Sequence, residues 1–250
     1  MNLKLDGKKV LVTGSSHGIG LEIAKAFLAE NCIVVLNARN EKKIEFIDNI
    51  NAHFVIGDVS SGIGAKNVVK EAQKKMDGLD IVICNVGSGQ SAPPGEETFQ
   101  DWKNCMNKNF YSTVHVVNAA KPYLSVSKGV IVCISSICGV ETIPNAPITY
   151  SVAKAALNTF VKGMSRPLGD IGIRICAVAP GNIMFEGSVW NKKIKSTPEA
   201  VQSMVERDVP LKRFGNVTDI SNLVLFVSSS LSNYTTGSIW ISDGGQTRSI

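Results

Sequence analysis

Short runs of apolar residues alternate with amphipathic stretches along the chain of 250 residues. The runs are rich in Val, Ile and Cys with few polar interruptions, which is typical of strands buried on both faces of a parallel sheet. They predict seven strands, at Lys9–Thr13, Ile33–Ala38, His53–Ile56, Leu79–Cys84, Val130–Ile134, Ile173–Val178 and Ser238–Ile241. The stretches between them have helical spacing and predict helices at Ile19–Glu30, Glu41–Asn49, Ala65–Met76, Trp102–Tyr123, Tyr150–Leu168 and Thr218–Ser229.

The alternation of strands and helices requires parallel strands joined by right-handed crossovers. We therefore predict an α/β fold: a doubly wound, seven-stranded parallel sheet of the Rossmann type with helices on both faces, in a single domain spanning residues 1–250. Glycine and proline concentrate just after the strands, for example at Gly14, Gly87 and Pro180-Gly181. In such a sheet the carboxyl ends of the strands form the binding crevice.

Residues 182–201 follow the sixth predicted strand and have only weak periodicity. They include Phe185, Trp190 and three lysines between positions 192 and 195. Because this segment emerges over the predicted crevice, we expect it to be a mobile substrate lid. The alternative interpretation is that this segment is an ordinary surface loop.

Composition excludes several classes of protein. The chain has no run of about 18 apolar residues, so no membrane span is predicted. It begins Met-Asn-Leu-Lys-Leu-Asp, without the apolar region of a secretion signal. The six cysteines lack C-x-x-C spacing, and the three histidines lack the spacing of metal ligands. We expect a cytoplasmic protein with reduced cysteines and no metal site.

The formal net charge of +5 arises from lysines that are dispersed apart from short clusters. The sequence contains no stripe of basic and aromatic residues, so no nucleic-acid partner is expected. Dispersed lysines are typical of solvated helix faces. The alternative interpretation of the excess of lysines is a preference for anionic ligands.

A glycine-rich turn, Val10-Leu-Val-Thr-Gly-Ser-Ser-His-Gly-Ile-Gly20, ends the first predicted strand and opens the first helix. Gly14 permits the tight turn, Gly18 lets the backbone approach a pyrophosphate, and Gly20 allows close packing of helix on strand. The amides at the helix N-terminus are suited to phosphate. The spacing is G-x3-G-x-G, and its position in a strand–turn–helix unit predicts a dinucleotide site.

The end of the second strand predicts which dinucleotide is bound. A site selective for NAD usually places a carboxylate there, whereas this chain has Ala38 followed by Arg39. The guanidinium suits a 2′-phosphate, and His17 adds a second donor. NADP(H) is therefore favoured over NAD(H). Asp58-Val59, after the third strand, has the position of an adenine-contacting turn, although Asp58 is equally compatible with a helix cap.

Tyr150 and Lys154 are four residues apart and therefore lie on one face of the predicted helix. An ammonium beside a phenol favours the phenolate, so we expect Lys154 to lower the tyrosine pKa. The spacing alone is more often a packing feature of an amphipathic helix, and its meaning depends on the rest of the chain.

Several short motifs occur in a fixed order. They are Thr13-Gly14-x-x-x-Gly18-Ile19-Gly20, Asp58-Val59, Asn85-x-Gly87, Asn109, Ile134-Ser135-Ser136, Tyr150-x-x-x-Lys154, Pro180-Gly181 and Thr236-Gly237…Asp243-Gly244-Gly245. Together they resemble the short-chain dehydrogenase/reductase family in its single-domain form, and the match covers nearly the whole chain. The resemblance also implies a homo-oligomer, usually a tetramer.

The resemblance implies a catalytic group of four residues. Tyr150 would be the acid in reduction and the base in oxidation, and Lys154 would depress its pKa and hold the nicotinamide ribose. Ser136 would bond the substrate oxygen, and Asn109 would anchor a water that relays protons to Lys154. The implied cofactor-binding residues are Gly14, Ser16, His17, Gly18, Ile19, Gly20, Arg39, Asp58, Val59, Asn85, Gly87, Tyr150, Lys154, Pro180, Gly181 and Ile183.

Three positions depart from the family pattern. Cys84 replaces the first asparagine of Asn-Asn-Ala-Gly, and Phe185 replaces a threonine expected after Pro180-Gly-Asn-Ile-Met. The gap from Ser136 to Tyr150 is one residue longer than usual. If the loop does not absorb this residue, Ser135 would be the working hydroxyl instead.

The sequence thus predicts an oxidoreductase that transfers hydride between NADP(H) and a carbonyl or secondary alcohol substrate. A nucleotide-sugar-modifying enzyme is one alternative, although the chain is short for that class. A non-catalytic NADP(H)-binding sensor is another, although it would be expected to have lost Tyr150, Lys154 or Ser136. The substrate candidates are a 3-oxoacyl thioester, a sugar derivative, a polyol and a steroid-like ketone, with the lysines of the lid favouring an anionic compound.

Overall fold

The computed structural model describes residues 2–40 and 49–249, so residues 41–48 of the predicted helix Glu41–Asn49 lie outside it. The strands are β1 (Lys9–Val12), β2 (Ile33–Ala38), β3 (Ala52–Ile56), β4 (Ile81–Cys84), β5 (Val130–Ile134), β6 (Arg174–Pro180), β7 (Ile183–Met184), β8 (Gly215–Asn216) and β9 (Ile239–Ser242). Within the described residues, seven of them form one sheet in the order β3-β2-β1-β4-β5-β6-β9. Every neighbouring pair in this sheet is parallel.

Helices cover both faces of the sheet. They are α1 (Gly18–Ala29), α2 (Gly62–Met76), α3 (Phe99–Met106), α4 (Ser112–Ser127), α5 (Ile148–Gly169), α6 (Val189–Ser196), α7 (Pro198–Asp208) and α8 (Val217–Ser228). One core lies between the sheet and α2, α4 and α5. The other lies between the sheet and α1 and α8. The predicted doubly wound, seven-stranded Rossmann fold is confirmed.

The two cores explain the nearly continuous apolar character of the strands. In β1, Leu11 points into one core while Val10 and Val12 point into the other, and all three are fully buried. Successive side chains of a strand face opposite sides of the sheet, so a strand covered on both sides must be apolar at every position.

The predicted helix Trp102–Tyr123 is longer and less regular in the structure. It begins with a capping box, in which Thr98 Oγ1 accepts from the Asp101 amide at 3.2 Å and Asp101 Oδ2 accepts from the Thr98 amide at 2.9 Å. A π-helical turn at Asn107–Tyr111 separates α3 from α4. Apolar periodicity does not distinguish a π turn from regular α-helix, because a π turn adds only one residue to the helix.

The segment 182–201 is built from defined elements. It contains β7, which pairs with β8, and α6, and it extends into α7, which the sequence did not predict. The helix α6 starts at Ser188, whose hydroxyl accepts from the Asn191 amide at 3.0 Å. The ring of Trp190 lies 5.5 Å from that of Phe214. The segment is therefore anchored to the body of the protein at several points, and its mobility stays a prediction.

All six cysteines are free thiols, and five of them are buried. Among the described residues, the structure contains no helix both long enough and apolar enough to span a membrane.

Asn37, at the end of β2, holds the glycine-rich turn against the sheet. Its side-chain amide donates to the carbonyls of Val55 at 3.0 Å and Gly57 at 3.1 Å, and its Oδ1 accepts from the Gly14 amide at 3.4 Å. The side chain is only 1% exposed, so water cannot replace these partners.

We expect Asn37→Ala to lower the free energy of unfolding by about 2–4 kcal/mol, because it leaves two carbonyls and one amide without partners. Asn40→Ala, at an exposed position three residues on, should change it by less than about 0.5 kcal/mol. Urea unfolding of both variants tests this, and equal stability of the two would contradict the role of Asn37.

Candidate active site

A cavity of about 1450 Å³ lies along the carboxyl ends of the strands. Nearly all of the predicted site residues line it, while Asn109 lies behind its wall. The lining includes Gly14, Ser16, His17, Gly18, Ile19, Gly20, Arg39, Asp58, Val59, Asn85, Gly87, Ser136, Tyr150, Lys154, Pro180, Gly181 and Ile183. The predicted cofactor-binding residues and three of the four predicted catalytic residues therefore share one cavity.

The glycine-rich turn has the backbone that the sequence predicted. Gly14 and Gly18 have φ angles of +62° and +58°, in the left-handed region that favours glycine. A Cβ atom on Gly20 would lie 2.6 Å from the carbonyl oxygen of Gly14, so helix α1 packs here without room for a side chain. The turn thus brings the backbone of its glycines and the N-terminus of α1 to the cavity wall, with the ring of Phe185 against Gly18. A turn of this geometry suits a pyrophosphate.

Asn85 supports this turn from the neighbouring strand. Its side-chain amide donates to the carbonyls of Thr13 at 3.1 Å and Gly14 at 2.9 Å. Its backbone amide donates to Thr13 Oγ1 at 3.1 Å. Asn85 therefore lines the cavity while its donors are already used to join the ends of β1 and β4.

The ends of β2 and β3 bring opposite charges together. The carboxylate of Asp58 accepts from the Ser60 amide at 2.9 Å and from the Ser60 hydroxyl at 2.7 Å. Burial favours the neutral acid, but these hydrogen bonds and the charges of Arg39 and Lys108 outweigh it, so the pKa of Asp58 is lowered. The N-cap of α2 is Ser61, not Asp58, since the Ser61 hydroxyl accepts from the Gly64 amide at 3.1 Å.

Tyr150 and Lys154 lie in the first two turns of α5, with Lys154 Nζ 5.7 Å from the centre of the tyrosine ring. The hydroxyl of Ser136 lies close enough to Tyr150 to lower the pKa of the phenol. The hydroxyl of Ser135 instead donates to Asn158 Oδ1 at 2.6 Å. The loop before α5 thus absorbs the additional residue, and the structure places Ser136, not Ser135, beside Tyr150.

Lys154 is buried, with 2% of its surface exposed, and Nζ donates to the carbonyl of Ile134 at 2.8 Å. Burial lowers its pKa to about 8, and the neighbouring thiols of Cys133, Cys105 and Cys138 oppose this shift. The ammonium therefore loses its proton much more readily than an exposed lysine.

The pKa of Tyr150 shifts in the opposite direction to the sequence-based expectation. Burial raises it, and the hydroxyl of Ser136 only partly opposes this shift. The nearby Lys154 ammonium is directed at the Ile134 carbonyl rather than at the phenol oxygen. In the protein alone, loss of water around the phenolate thus outweighs the attraction of the lysine charge, and Tyr150 keeps its proton at neutral pH.

Asn109 is placed by the π-helical turn and is 1% exposed. Its Oδ1 accepts from the Ser88 amide at 2.8 Å, and its Nδ2 donates to the carbonyl of Cys105 at 3.1 Å. A Cβ atom on Gly87 would lie 2.8 Å from Asn109 Oδ1 and 3.3 Å from Lys154 Nζ. Asn109 and Lys154 therefore converge on Gly87, and the proton relay between them stays a prediction.

A family model described as Enoyl-(Acyl carrier protein) reductase matches residues 14–247. The chain belongs to the short-chain dehydrogenase/reductase family. It is an oxidoreductase that acts on CH–OH or C=O groups, as the sequence predicted.

Members of the short-chain dehydrogenase/reductase family with different substrates are similar to this chain. Isoepoxydon dehydrogenase patN of Aspergillus clavatus is 32% identical over 252 residues, which cover 96% of this chain and 95% of the relative. L-Sorbose reductase from Gluconobacter frateurii, solved with NADPH and L-sorbose, has a TM-score of 0.91, 28% identity and full coverage of both chains. A 7α-hydroxysteroid dehydrogenase, solved with NADH and 7-oxo glycochenodeoxycholic acid, has a TM-score of 0.88, 29% identity and coverage of 98% and 96%.

Cys84, one of the departures from the family pattern, lies within the core. It is the register partner of Cys133 on the adjacent strand β5, and both residues are buried. Because the side chain at position 84 points into the packed interior, replacing an amide by a thiol does not change the cavity wall.

Asn37 and Asn158 are supporting residues that the sequence analysis missed. Asn158 accepts from Ser135 and donates to the carbonyl of Gly139 at 2.9 Å, which fixes the turn after β5. It lies four residues after Lys154, on the same helix face as Tyr150, and this spacing could have identified it. Asn37 gave no such signal, because it stands alone at the end of an apolar strand.

The lowered pKa of Lys154 predicts a pH dependence of stability. The unfolded chain keeps the lysine proton up to its ordinary pKa of 10.5, whereas the folded protein releases it near pH 8. Between these values the unfolded state binds more protons, so stability rises with pH. From pH 7 to 9.5, the wild type should gain about 2 kcal/mol of unfolding free energy relative to Lys154→Met.

Urea unfolding of the wild type, Lys154→Met and Lys162→Met at both pH values measures this difference. Lys162 is exposed on the same helix, so its replacement should leave the pH dependence of the wild type unchanged. A parallel change of stability with pH in all three proteins would show that the Lys154 pKa is not lowered.

Proposed function

We propose that this short-chain dehydrogenase/reductase transfers hydride between NADP(H) and a carbonyl or secondary alcohol compound, with Tyr150 as proton donor and acceptor. The observation that carries the proposal is the meeting of Tyr150, Ser136 and Lys154 in one cavity with the glycine-rich turn. A phenol beside a hydroxyl and a lysine would by itself fit many reactions. A phenol that shares its cavity with a dinucleotide-type turn fits proton transfer coupled to hydride transfer.

The residues present fit a dinucleotide. Gly14, Gly18 and the first turn of α1 would hold the pyrophosphate, because both glycines adopt the left-handed backbone of the turn and the first amides of a helix attract anions. Lys154 would hold the nicotinamide ribose, and the backbone of Ile183 would meet the carboxamide. When bound, the nicotinamide supplies or accepts the hydride.

Tyr150 holds the proton that reduction requires. Because burial raises its pKa, the phenol is protonated at neutral pH and is ready to donate to a carbonyl oxygen. The Ser136 hydroxyl, which lies beside Tyr150, would donate to the same oxygen and stabilise the developing alkoxide. Lys154, with a pKa of about 8, can lose and regain a proton at a pH where an ordinary lysine cannot.

The choice of NADP(H) rests on the end of β2. Ala38 is 8% exposed and brings no carboxylate, and Arg39 is exposed beside it. The lowered pKa of Asp58 depends partly on the charge of Arg39, which places the guanidinium near the proposed adenine pocket. A fixed cation without a competing carboxylate on the same strand favours a 2′-phosphate.

The cavity supports a substrate with hydrogen-bonding groups. Its lining includes the polar side chains of Ser88, Gln90 and Asn145, together with the ring of Trp190. A panel of sugar, polyol, 3-oxoacyl and steroid-like carbonyl compounds, followed by NADPH absorbance beside NADH, would identify the class. The proposal of a redox reaction fails if no carbonyl or alcohol in such a panel changes the absorbance of either dinucleotide.

Tyr150→Phe removes the proposed proton donor and keeps the ring. We expect it to reduce kcat by about 10²–10⁴-fold while the Kd for NADPH stays within about threefold. Tyr234→Phe is the matched control, since Tyr234 is fully exposed. Turnover is measured by NADPH consumption and binding by calorimetry. Near-normal turnover of Tyr150→Phe would reject Tyr150 as the donor.

Arg39→Ala should weaken the binding of NADPH and leave the binding of NADH almost unchanged. Loss of a charge-assisted hydrogen bond to a 2′-phosphate corresponds to about 1.5–3 kcal/mol, or about 10–100-fold in Kd. The matched control is Arg166→Ala, at an exposed position on α5. Titration of each protein with both dinucleotides measures the effect, and equal losses for NADPH and NADH would refute selection by Arg39.

A further inference from the structure

The ring of Phe185 lies directly on the glycine-rich turn. A Cβ atom placed on Gly18 would be 2.7 Å from Phe185 Cε2 and 3.0 Å from Cζ. These short distances mean that the ring is in van der Waals contact with the glycine itself. Phe185 is the residue that replaces the threonine of the family pattern, so this contact is a property of this chain and not of the family.

The surface beneath the ring is the N-terminus of α1. The first amides of a helix have no carbonyl partner within the helix, and they attract anions. The first turn, Gly18 to Leu21, contains no carboxylate side chain that could supply the negative charge. An aromatic ring is a poor partner for these amides, because it offers no strong acceptor.

The position of the ring is fixed by its surroundings. Phe185 follows β7, and its carbonyl accepts from the Ser188 amide at 3.1 Å at the start of α6. The ring packs against the core that contains Ile183 and, at its margin, Ile19. The backbone of Phe185 is therefore held at the connection between β7 and α6, which is the base of the segment 182–201.

We propose that Phe185 sets the affinity for the dinucleotide by competing with its pyrophosphate for the turn at Gly18. This inference rests on the proposed function, because it requires that a dinucleotide binds at this turn. The pyrophosphate needs close approach to the Gly18 backbone, and the ring covers that backbone. Binding therefore includes displacement of Phe185, and the dinucleotide binds only the fraction of molecules in which the ring has left the turn.

Such a competition weakens binding by a defined factor. The apparent Kd equals the intrinsic Kd divided by the fraction of molecules that are competent to bind. Removing the ring makes that fraction close to one. Phe185→Ala should therefore bind NADPH more tightly than the wild type, by about five- to twentyfold if the ring covers Gly18 in 80–95% of molecules.

A second ligand separates competition at the turn from a general effect on the fold. Adenosine 2′-monophosphate reproduces the adenosine and 2′-phosphate but lacks both phosphates of the pyrophosphate bridge and the nicotinamide. It should bind wild type and Phe185→Ala with Kd values within about twofold, because Phe185 does not cover the proposed adenosine pocket. A variant that merely loosened the protein would change both ligands together.

The experiment is a calorimetric titration of NADPH and of adenosine 2′-monophosphate into wild type, Phe185→Ala, Phe185→Leu and Phe214→Ala. Phe185→Leu keeps apolar bulk and should give an intermediate gain. Phe214→Ala is the matched control, because Phe214 contacts Trp190 of the same segment and not the turn. It should leave the NADPH affinity within about twofold.

The outcomes are distinguishable. Tighter NADPH binding by Phe185→Ala with unchanged binding of adenosine 2′-monophosphate supports the proposal. NADPH binding that is detected for Phe185→Ala but not for the wild type also supports it. Weaker binding would mean that the ring contributes contacts to the dinucleotide, and unchanged binding would mean that it does not cover the turn, so either overturns the proposal. If none of the proteins binds NADPH or NADH, the proposed function fails, and this inference fails with it.

Discussion

The burial of the Lys154 ammonium is the constraint on which the site depends. A charge held away from water favours its neutral form, and here that lowers the lysine pKa to about 8. The same environment raises the pKa of Tyr150. The proton affinities of the two groups thus move apart, because the exclusion of water favours the neutral form of each. Lys154 stays in place through the carbonyl of Ile134, at the end of β5.

The strand ends around this lysine are joined by side-chain amides. Asn85 links β4 to the glycine-rich turn, and Asn37 links that turn to the end of β3. Parallel strands leave backbone groups at their carboxyl ends without a regular partner, and these amides satisfy them inside the protein. The cavity therefore has a rigid floor, and the segment with Phe185 and Trp190 forms its outer wall.

Two departures from the family pattern have different consequences. The side chain of Cys84 points into the core beside Cys133, so the packed interior absorbs the change. The side chain of Phe185 points into the cavity and rests on Gly18. The sequence identified both substitutions with equal clarity. Only the direction of each side chain, which depends on how the chain folds around it, separates a conservative change from one that alters the site.

The sequence by itself determined the fold, because strands covered on both faces must be apolar at every position and helices between them fix the parallel topology. It also determined the glycine-rich turn and the i, i+4 relation of Tyr150 and Lys154, since both depend on neighbouring residues. Only the tertiary structure decided the direction of the Tyr150 pKa, the choice of Ser136 and the cover over Gly18. Each of these depends on burial and on contacts between residues far apart in the chain, which local patterns do not contain.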